Sequence, residues 1–216
     1  MTESLIYCEL IGDLPALAAK RWGERHAFTF EGKSWSYQDV EKEVEQLAHA
    51  LRALGVKKGD RVALWLTNSA MLECLLFAVI RIGAVAVPLN TRYRTQDLAF
   101  TLKNSGSVLL ISAAKSGPVN FDAILLEALG EVAVDAQGQM HSEAVPSLKR
   151  VVMMGDSAIP GALGWESFRD LGELPRDDSQ GLNDQRYQRH QESHLLNSRS
   201  AMTPQPTDTA LIVYTS

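Results

Sequence analysis

The residues most able to do chemistry in this chain stand at its end, in Asp208-Thr209-Ala210-Leu211-Ile212-Val213-Tyr214-Thr215-Ser216. A polar entry leads into four apolar residues, then an aromatic, then two hydroxyls. An apolar run of that length bounded by polar residues suits a buried strand. Ligands of open α/β sheets sit beyond the carboxyl ends of the strands. Tyr214, Thr215 and Ser216 therefore occupy the place where a binding loop should start.

Other constellations carry less. Gly155-Asp156-Ser157-Ala158-Ile159 begins like a nucleophile elbow but lacks its second glycine, so a turn after a strand is the simpler reading. His190 and His194 flank Glu192 in the wrong order for a zinc-binding H-E-x-x-H helix and have no third ligand nearby. Gly161-Ala162-Leu163-Gly164 is too short for a dinucleotide or P-loop fingerprint.

The elements that would position the terminal hydroxyls read as follows. Leu14, Leu17, Ala18 and Trp22 share one face of a helix closed by Gly23. Ala27–Phe30, Glu31-Gly32 and Lys33–Trp35 form a hairpin signal. Ser36 and Asp39 fit a capping box, Trp35 and Val40 a hydrophobic staple. Tyr37, Val40, Val44, Leu47, Leu51 and Leu54 then line one helical stripe up to Gly55.

Arg61–Leu66 is a strand; Thr67, Asn68 and Ser69 offer caps for a helix to about Ile82; Ala84–Val87 is a second strand ended by Pro88. Thr95 can cap a helix that ends at Gly106, and Val108–Ile111 is a third strand. A helix over Phe121–Leu129, a polar loop and a strand over Val151–Met154 follow. Unalternated strands separated by helices describe βαβ units: an α/β fold with a partial doubly wound, mainly parallel sheet and helices on both faces. From Pro175 to Thr207 apolar periodicity vanishes, which predicts a flexible polar loop over residues 175–207.

Composition narrows the partners. Over 216 residues, 45% are apolar and 22% charged, close to the globular average. The formal net charge of -5 and the lack of a basic, aromatic-interleaved patch argue against nucleic acid. Two cysteines, Cys8 and Cys74, make no disulfide framework, and Cys74 reads as a core residue. Met71–Pro88 is long and apolar, but it contains Glu73 and Arg81. Each charge at mid-membrane costs about 2.5 to 3.5 kcal/mol, so a buried helix and strand explain it better than a transmembrane segment. Met1-Thr2-Glu3-Ser4 lacks the basic start of a signal peptide, which makes a cytoplasmic location the expectation.

Four blocks, in order, resemble the adenylate-forming (AMP-binding) acyl-CoA synthetases. They are Trp35-Ser36-Tyr37-Gln38-Asp39-Val40, the turn and strand from Leu54 to Ala63, the helix–glycine–strand–proline block from Phe77 to Asn90, and Asp208 to Ser216, similar to the opening of D-x-A-x-[IL]-x-Y-T-S-G-T-T-G. Asn90-Thr91-Arg92-Tyr93-Arg94 leans towards the fatty-acyl branch.

The resemblance implies an ATP-dependent acid–CoA ligase. ATP and a carboxylic acid, by the same lean a fatty acid, give an acyl-adenylate and pyrophosphate; coenzyme A then displaces AMP. Backbone N–H groups and the hydroxyls of Thr215 and Ser216 would hold phosphate oxygens, with Mg²⁺ offsetting charge.

Of the Y-T-S-G-T-T-G loop the chain holds only Tyr214, Thr215 and Ser216. The resemblance therefore casts residues 1–216 as an incomplete N-terminal AMP-binding domain, the front part of the large domain. Such a fragment is expected to be inactive alone, to bind ATP, Mg²⁺ and coenzyme A poorly, and to self-associate through exposed core surface. The alternative is a stand-alone α/β binding or interaction module derived from such an enzyme.

Overall fold

The computed structural model describes residues 8–173 and 204–214. It opens on a short 3-10 turn, Ile11–Asp13, that leads into α1 (Leu14–Trp22). Leu14, expected on the inner face of this helix, is 39% exposed; Pro15 and Ala18 are the residues it buries. The hairpin β1 (His26–Phe30) and β2 (Lys33–Ser36) forms as predicted. Its turn residues Glu31 and Gly32 both take positive φ, 48° and 78°, which matches the twist of a two-residue hairpin.

Helix α2 (Tyr37–Ala53) has the capping box its sequence requires. The Asp39 N–H donates to Ser36 Oγ at 3.1 Å, and the Ser36 N–H donates to Asp39 Oδ2 at 3.0 Å. At the other end Gly55, at φ 92°, donates to Arg52 O while Val56 donates to Leu51 O, a Schellman close that satisfies two terminal carbonyls.

Next come β3 (Arg61–Trp65), α3 (Ala70–Arg81), β4 (Val85–Pro88), α4 (Thr95–Ser105) and β5 (Leu109–Ala113). Ser69 caps α3, accepting from the Leu72 N–H at 3.1 Å. Thr95 does not cap α4. It is the first helical residue, the cap position is Arg94, and the Thr95 hydroxyl donates to Glu127 at 2.9 Å instead.

The region read as one polar loop before the fourth strand is richer than its composition suggests. It holds the hairpin β8 (Val132–Val134) and β9 (Met140–Ser142); before it stand the tiny pair β6 (Lys115–Ser116) and β7 (Val119–Asn120) and then α5 (Phe121–Leu129), which forms over the residues expected of it. Strand β10 (Arg150–Met154) follows, with β11 (Leu163–Gly164) and helix α6 (Trp165–Asp170), neither of which the sequence pattern announced. They are too short to show a period.

Among the described residues, β11, β10, β5, β3 and β4 form one sheet in that order, all pairs parallel. Alternate residues feed two cores. Val62, Leu64, Leu109, Ile111, Ala86 and Val152 pack with α2, α3 and α6 on one face. Ala63, Trp65, Leu110, Val87, Val151 and Met153 pack with α4 and α5 on the other. Two covered faces explain why the strands read as unbroken apolar runs. The doubly wound α/β architecture is as expected. Cys74 is fully buried within the first core, also as expected.

Residues 174–203 lie outside the described residues, and with them His190, His194 and most of the expected loop over 175–207. The described remainder, 204–207, makes a tight turn into Asp208. No helix among the described residues is long and apolar enough to cross a membrane.

Candidate functional site

Three βα units set the site's position. The first strand of the sheet in chain order, β3, lies between the second, β4, and the third, β5. The strand order therefore reverses between β3 and β5, and the crevice beyond the carboxyl ends at such a reversal is where open α/β sheets hold ligands. The loops that surround this edge begin at Leu66, Leu89 and Ala114.

The floor of the edge is fixed by Trp65, which is fully buried. Its ring stacks on Phe121 at 4.2 Å between centroids, 11° from parallel. Its indole N–H donates to Asn90 O at 3.1 Å, tying the end of β3 to the loop after β4. Ser112 on β5, buried beside it, donates to the carbonyl oxygens of Trp65 (3.3 Å) and Ala113 (2.9 Å). A buried hydroxyl with both of those acceptors in reach is a structural tie and no nucleophile.

The terminal segment arrives at this edge from one side. The Ala86 N–H donates to Ala210 O and the Ile212 N–H donates to Ala86 O, each at 2.9 Å, so residues 210–212 run parallel to β4. Lys58 and Asp208 pair at 2.8 Å at the start of the run. The Lys58 ammonium, together with the Gln205 N–H, holds the Asp208 carboxyl below the usual carboxylate range. At its far end the Tyr214 hydroxyl accepts from Asn104 Nδ2 at 3.0 Å. The blocks Leu54–Ala63, Phe77–Asn90 and Asp208 onward, far apart in sequence, thus meet along one side of the sheet.

One sequence expectation changes here. The run Ala210–Val213 was expected to be a buried strand; the structure makes it a single bridged residue at the sheet's edge, with Leu211 46% and Val213 61% exposed. Only Ile212 and Tyr214 turn towards the second core. A strand with one neighbour buries one side of its residues and leaves the other uncovered. Thr215 and Ser216, the predicted phosphate contacts, lie outside the described residues. Sequence reasoning also passed over the Trp65–Asn90 tie. Its only linear signal is an asparagine just beyond a strand, a common start for a side-chain-braced turn.

The amino edge of the sheet holds an opening of about 290 Å³, lined by Lys58, Gly59, Arg61, Gly83, Val85 and Asp208 among others. Arg61 there is already occupied: Nε donates to Ser105 O (3.0 Å), Nη1 to Gly59 O (3.0 Å) and Nη2 to Gly106 O (2.9 Å). It caps the carbonyl end of α4, and that edge is the wrong one for a ligand in this architecture.

Comparison with known proteins agrees with the geometry. The family model for AMP-binding enzyme matches residues 16–216. A putative acyl-CoA synthetase of Bacillus subtilis, YngI, is 28% identical over 169 residues, covering 77% of this chain and 31% of its own. The long-chain-fatty-acid–CoA ligase FadD13 of Mycobacterium tuberculosis is 43% identical over 93 residues, 43% of this chain and 18% of that protein.

Among solved structures, a fatty acyl CoA synthetase of Mycobacterium tuberculosis superposes with a TM-score of 0.64 at 25% identity, covering 96% of this chain and 33% of that one. The inhibitor-bound N-terminal domain of FACL13 from the same organism gives 0.57 at 26% identity, covering 81% and 39%. The chain thus spans 18 to 39% of these relatives' lengths. With a family model that runs from the first helix through the terminal segment, the chain belongs to the AMP-binding enzymes.

Proposed function

We propose that the protein is an ATP-dependent acid–CoA ligase of the fatty-acyl-CoA synthetase type. A carboxylate oxygen attacks the α-phosphorus of ATP and pyrophosphate leaves. The thiol of coenzyme A then attacks the acyl carbon and AMP leaves, giving a thioester. The observation that carries this reading is the parallel seating of residues 210–212 on β4, which sends the chain through Tyr214 towards the carboxyl edge of a doubly wound sheet.

Within it Thr215 and Ser216 contact the β- and γ-phosphate oxygens through hydroxyl and backbone N–H groups. Mg²⁺ arrives on those phosphates and offsets their charge, as this ion is usually held by substrate oxygens with one or two carboxylates. Relatives named as long-chain-fatty-acid and acyl-CoA ligases support a fatty acid as the acid substrate. ATP and coenzyme A as substrates support a cytoplasmic location.

Residues 1–216 supply the front part of the AMP-binding domain in this proposal, with 175–207 as a flexible polar connection. On their own they do not turn over, and the apolar residues Leu211 and Val213 on the uncovered edge promote self-association. The test measures pyrophosphate release with ATP, Mg²⁺, coenzyme A and a panel of carboxylic acids, for residues 1–216 and for the full product of the gene. The full product should release pyrophosphate only with an acid present. Replacing Thr215 by Val and Ser216 by Ala should lower kcat by about a hundredfold, the scale of a lost transition-state donor. Acid-independent or absent release refutes the ligase, and release by residues 1–216 alone refutes their inactivity. Sedimentation of Leu211→Lys/Val213→Lys beside the parent chain checks the self-association: the variant should be monomeric where the parent is not.

A second reading, a stand-alone α/β binding module, is favoured by one observation: both faces of the five-stranded sheet are already covered within the described residues. A single cooperative thermal transition of residues 1–216, with no turnover by the full product, would select it.

A further inference from the structure

The loop after β4 carries two cations that neither the fold nor the proposed phosphate turn uses. Its backbone is tied at Asn90, Arg92, Tyr93 and Arg94. Asn90 O accepts from the Trp65 indole at 3.1 Å and from the Tyr93 N–H at 3.0 Å. Asn90 Oδ1 accepts from the Arg92 N–H at 2.9 Å, and Asp97 Oδ2 accepts from the Arg94 N–H at 3.3 Å. Thr95, directly after, is bound to Glu127. Tyr93 packs against the second core.

The side chains of Arg92 and Arg94 are exposed, and neither guanidinium has an ion pair or hydrogen bond among the described residues. The acids nearest in the loop and its contacts, Asp97 and Glu127, are engaged with the Arg94 N–H and the Thr95 hydroxyl. Stability does not ask for the two arginines, since exposed cations without partners contribute little to folding.

Position supplies the reason. Leu211 stands opposite Ala86 on β4, and that same strand leads at Pro88 into the loop that bears Arg92 and Arg94. Arg92 follows Leu89 by three residues, at most about 11 Å of chain. The loop with both arginines therefore lies at the carboxyl edge, beyond the strand on which the terminal segment is seated. Planar guanidinium forks carried on a braced backbone match the paired oxygens of phosphates.

We infer that Arg92 and Arg94 form a docking pair for a polyphosphate, the triphosphate of ATP or the diphosphate and 3′-phosphate of coenzyme A. The inference rests on the ligase reading for the identity of the substrate, but the binding chemistry can be tested without turnover. The pair acts by drawing the polyanion to the edge and holding it in register, and it takes no part in bond making.

The experiment titrates inorganic tripolyphosphate, and separately ATP and coenzyme A, into the purified chain by calorimetry at low and high chloride. Tripolyphosphate should bind, more weakly as chloride rises. Affinity should fall about tenfold or more in R92Q/R94Q, as two charge-assisted contacts disappear, and recover in large part in R92K/R94K, which keeps the charges. Equal unfolding midpoints of the three proteins establish that the exposed substitutions leave the fold intact. If ATP alone competes with tripolyphosphate, the pair serves the triphosphate; if coenzyme A alone does, it serves that substrate. Absence of tripolyphosphate binding, or the same affinity in the glutamine variant, overturns the inference. A failure of the ligase reading shows separately, as a full gene product without acid-dependent pyrophosphate release.

Discussion

Arg81→Met gives the sharpest test of what holds the first layer together. In the folded chain Arg81, at the end of α3, donates to Glu41 Oε1 at 3.0 Å and Oε2 at 2.7 Å, and its Nε donates to Gly12 O at 2.9 Å. One side chain thus joins α3 to α2 and pins the first turn. The pair is well buried, with side-chain exposures of 13% for Arg81 and 4% for Glu41. Removing one partner leaves a carboxylate in the interior without a counter-charge, which costs about 3 to 5 kcal/mol. The freed Gly12 carbonyl adds about 1 kcal/mol.

The pH dependence sharpens this. Burial already pushes the Glu41 carboxyl above its ordinary value, against the opposing pull of Arg81. Without Arg81 the upward push stands unopposed. A carboxyl whose folded value is raised contributes stability that is present below its unfolded value and lost as pH rises through the folded value. The penalty in Arg81→Met should therefore be largest near pH 7.5 and shrink towards pH 5. The companion Glu41→Leu/Arg81→Met, with no buried charge left, should recover most of the loss. Urea unfolding followed by tryptophan fluorescence at both pH values reads all three proteins. A loss below about 1 kcal/mol, or one equal at the two pH values, would refute the reasoning about this pair.

Three further outcomes are expected. Ser36→Ala should cost about 1 kcal/mol by removing the cap of α2. Hydrogen bonds from Ser36 hold the Asp39 carboxyl below its usual range, so the cap's contribution is present above the ordinary aspartate value and is lost as pH falls through the lowered one; urea melts at pH 7 and pH 3 show whether the mutational cost shrinks in acid. Gly172→Ala should loosen the docking of α6, because an added Cβ would stand 2.1 Å from Gln46 O, with about 1 to 3 kcal/mol of overpacking; melting temperature and Trp165 emission report it, and an unchanged midpoint speaks against the contact. Cys74, fully buried with its thiol pushed up to about 12 chiefly by burial, should resist a thiol reagent in the native chain and react once urea unfolds it, whereas native-state modification at the rate of a free thiol would contradict that burial.

How much could be read in advance depended on the range of the forces involved. The capping box at Ser36 and Asp39, the close at Gly55 and the Glu31-Gly32 turn each involve residues within a few positions of one another, and each formed as its spacing dictates. Unbroken apolar runs at Val62–Leu66 and Val108–Ile111 called for two covered faces, and the paired cores supply them. Short pieces without a period, β8, β9, β11 and α6, escaped, since two to six residues cannot display one. Arg169 docks α6 on α2 by pairing with Glu43, more than a hundred positions away, a contact that leaves no trace in local sequence.

The candidate site divides along the same line. Residue types and spacing alone determined an α/β chain, because side-chain period and turn chemistry are local properties, and they set two hydroxyls, Thr215 and Ser216, after its last apolar run. Which strand that run lies against, and that it forms an edge with Leu211 and Val213 uncovered, were decided only by the tertiary structure. So was the bracing of the Arg92 and Arg94 loop by Trp65. Parallel neighbours must be joined by long crossovers, so their pairing depends on how the whole sheet closes around its two cores and not on any stretch of sequence by itself.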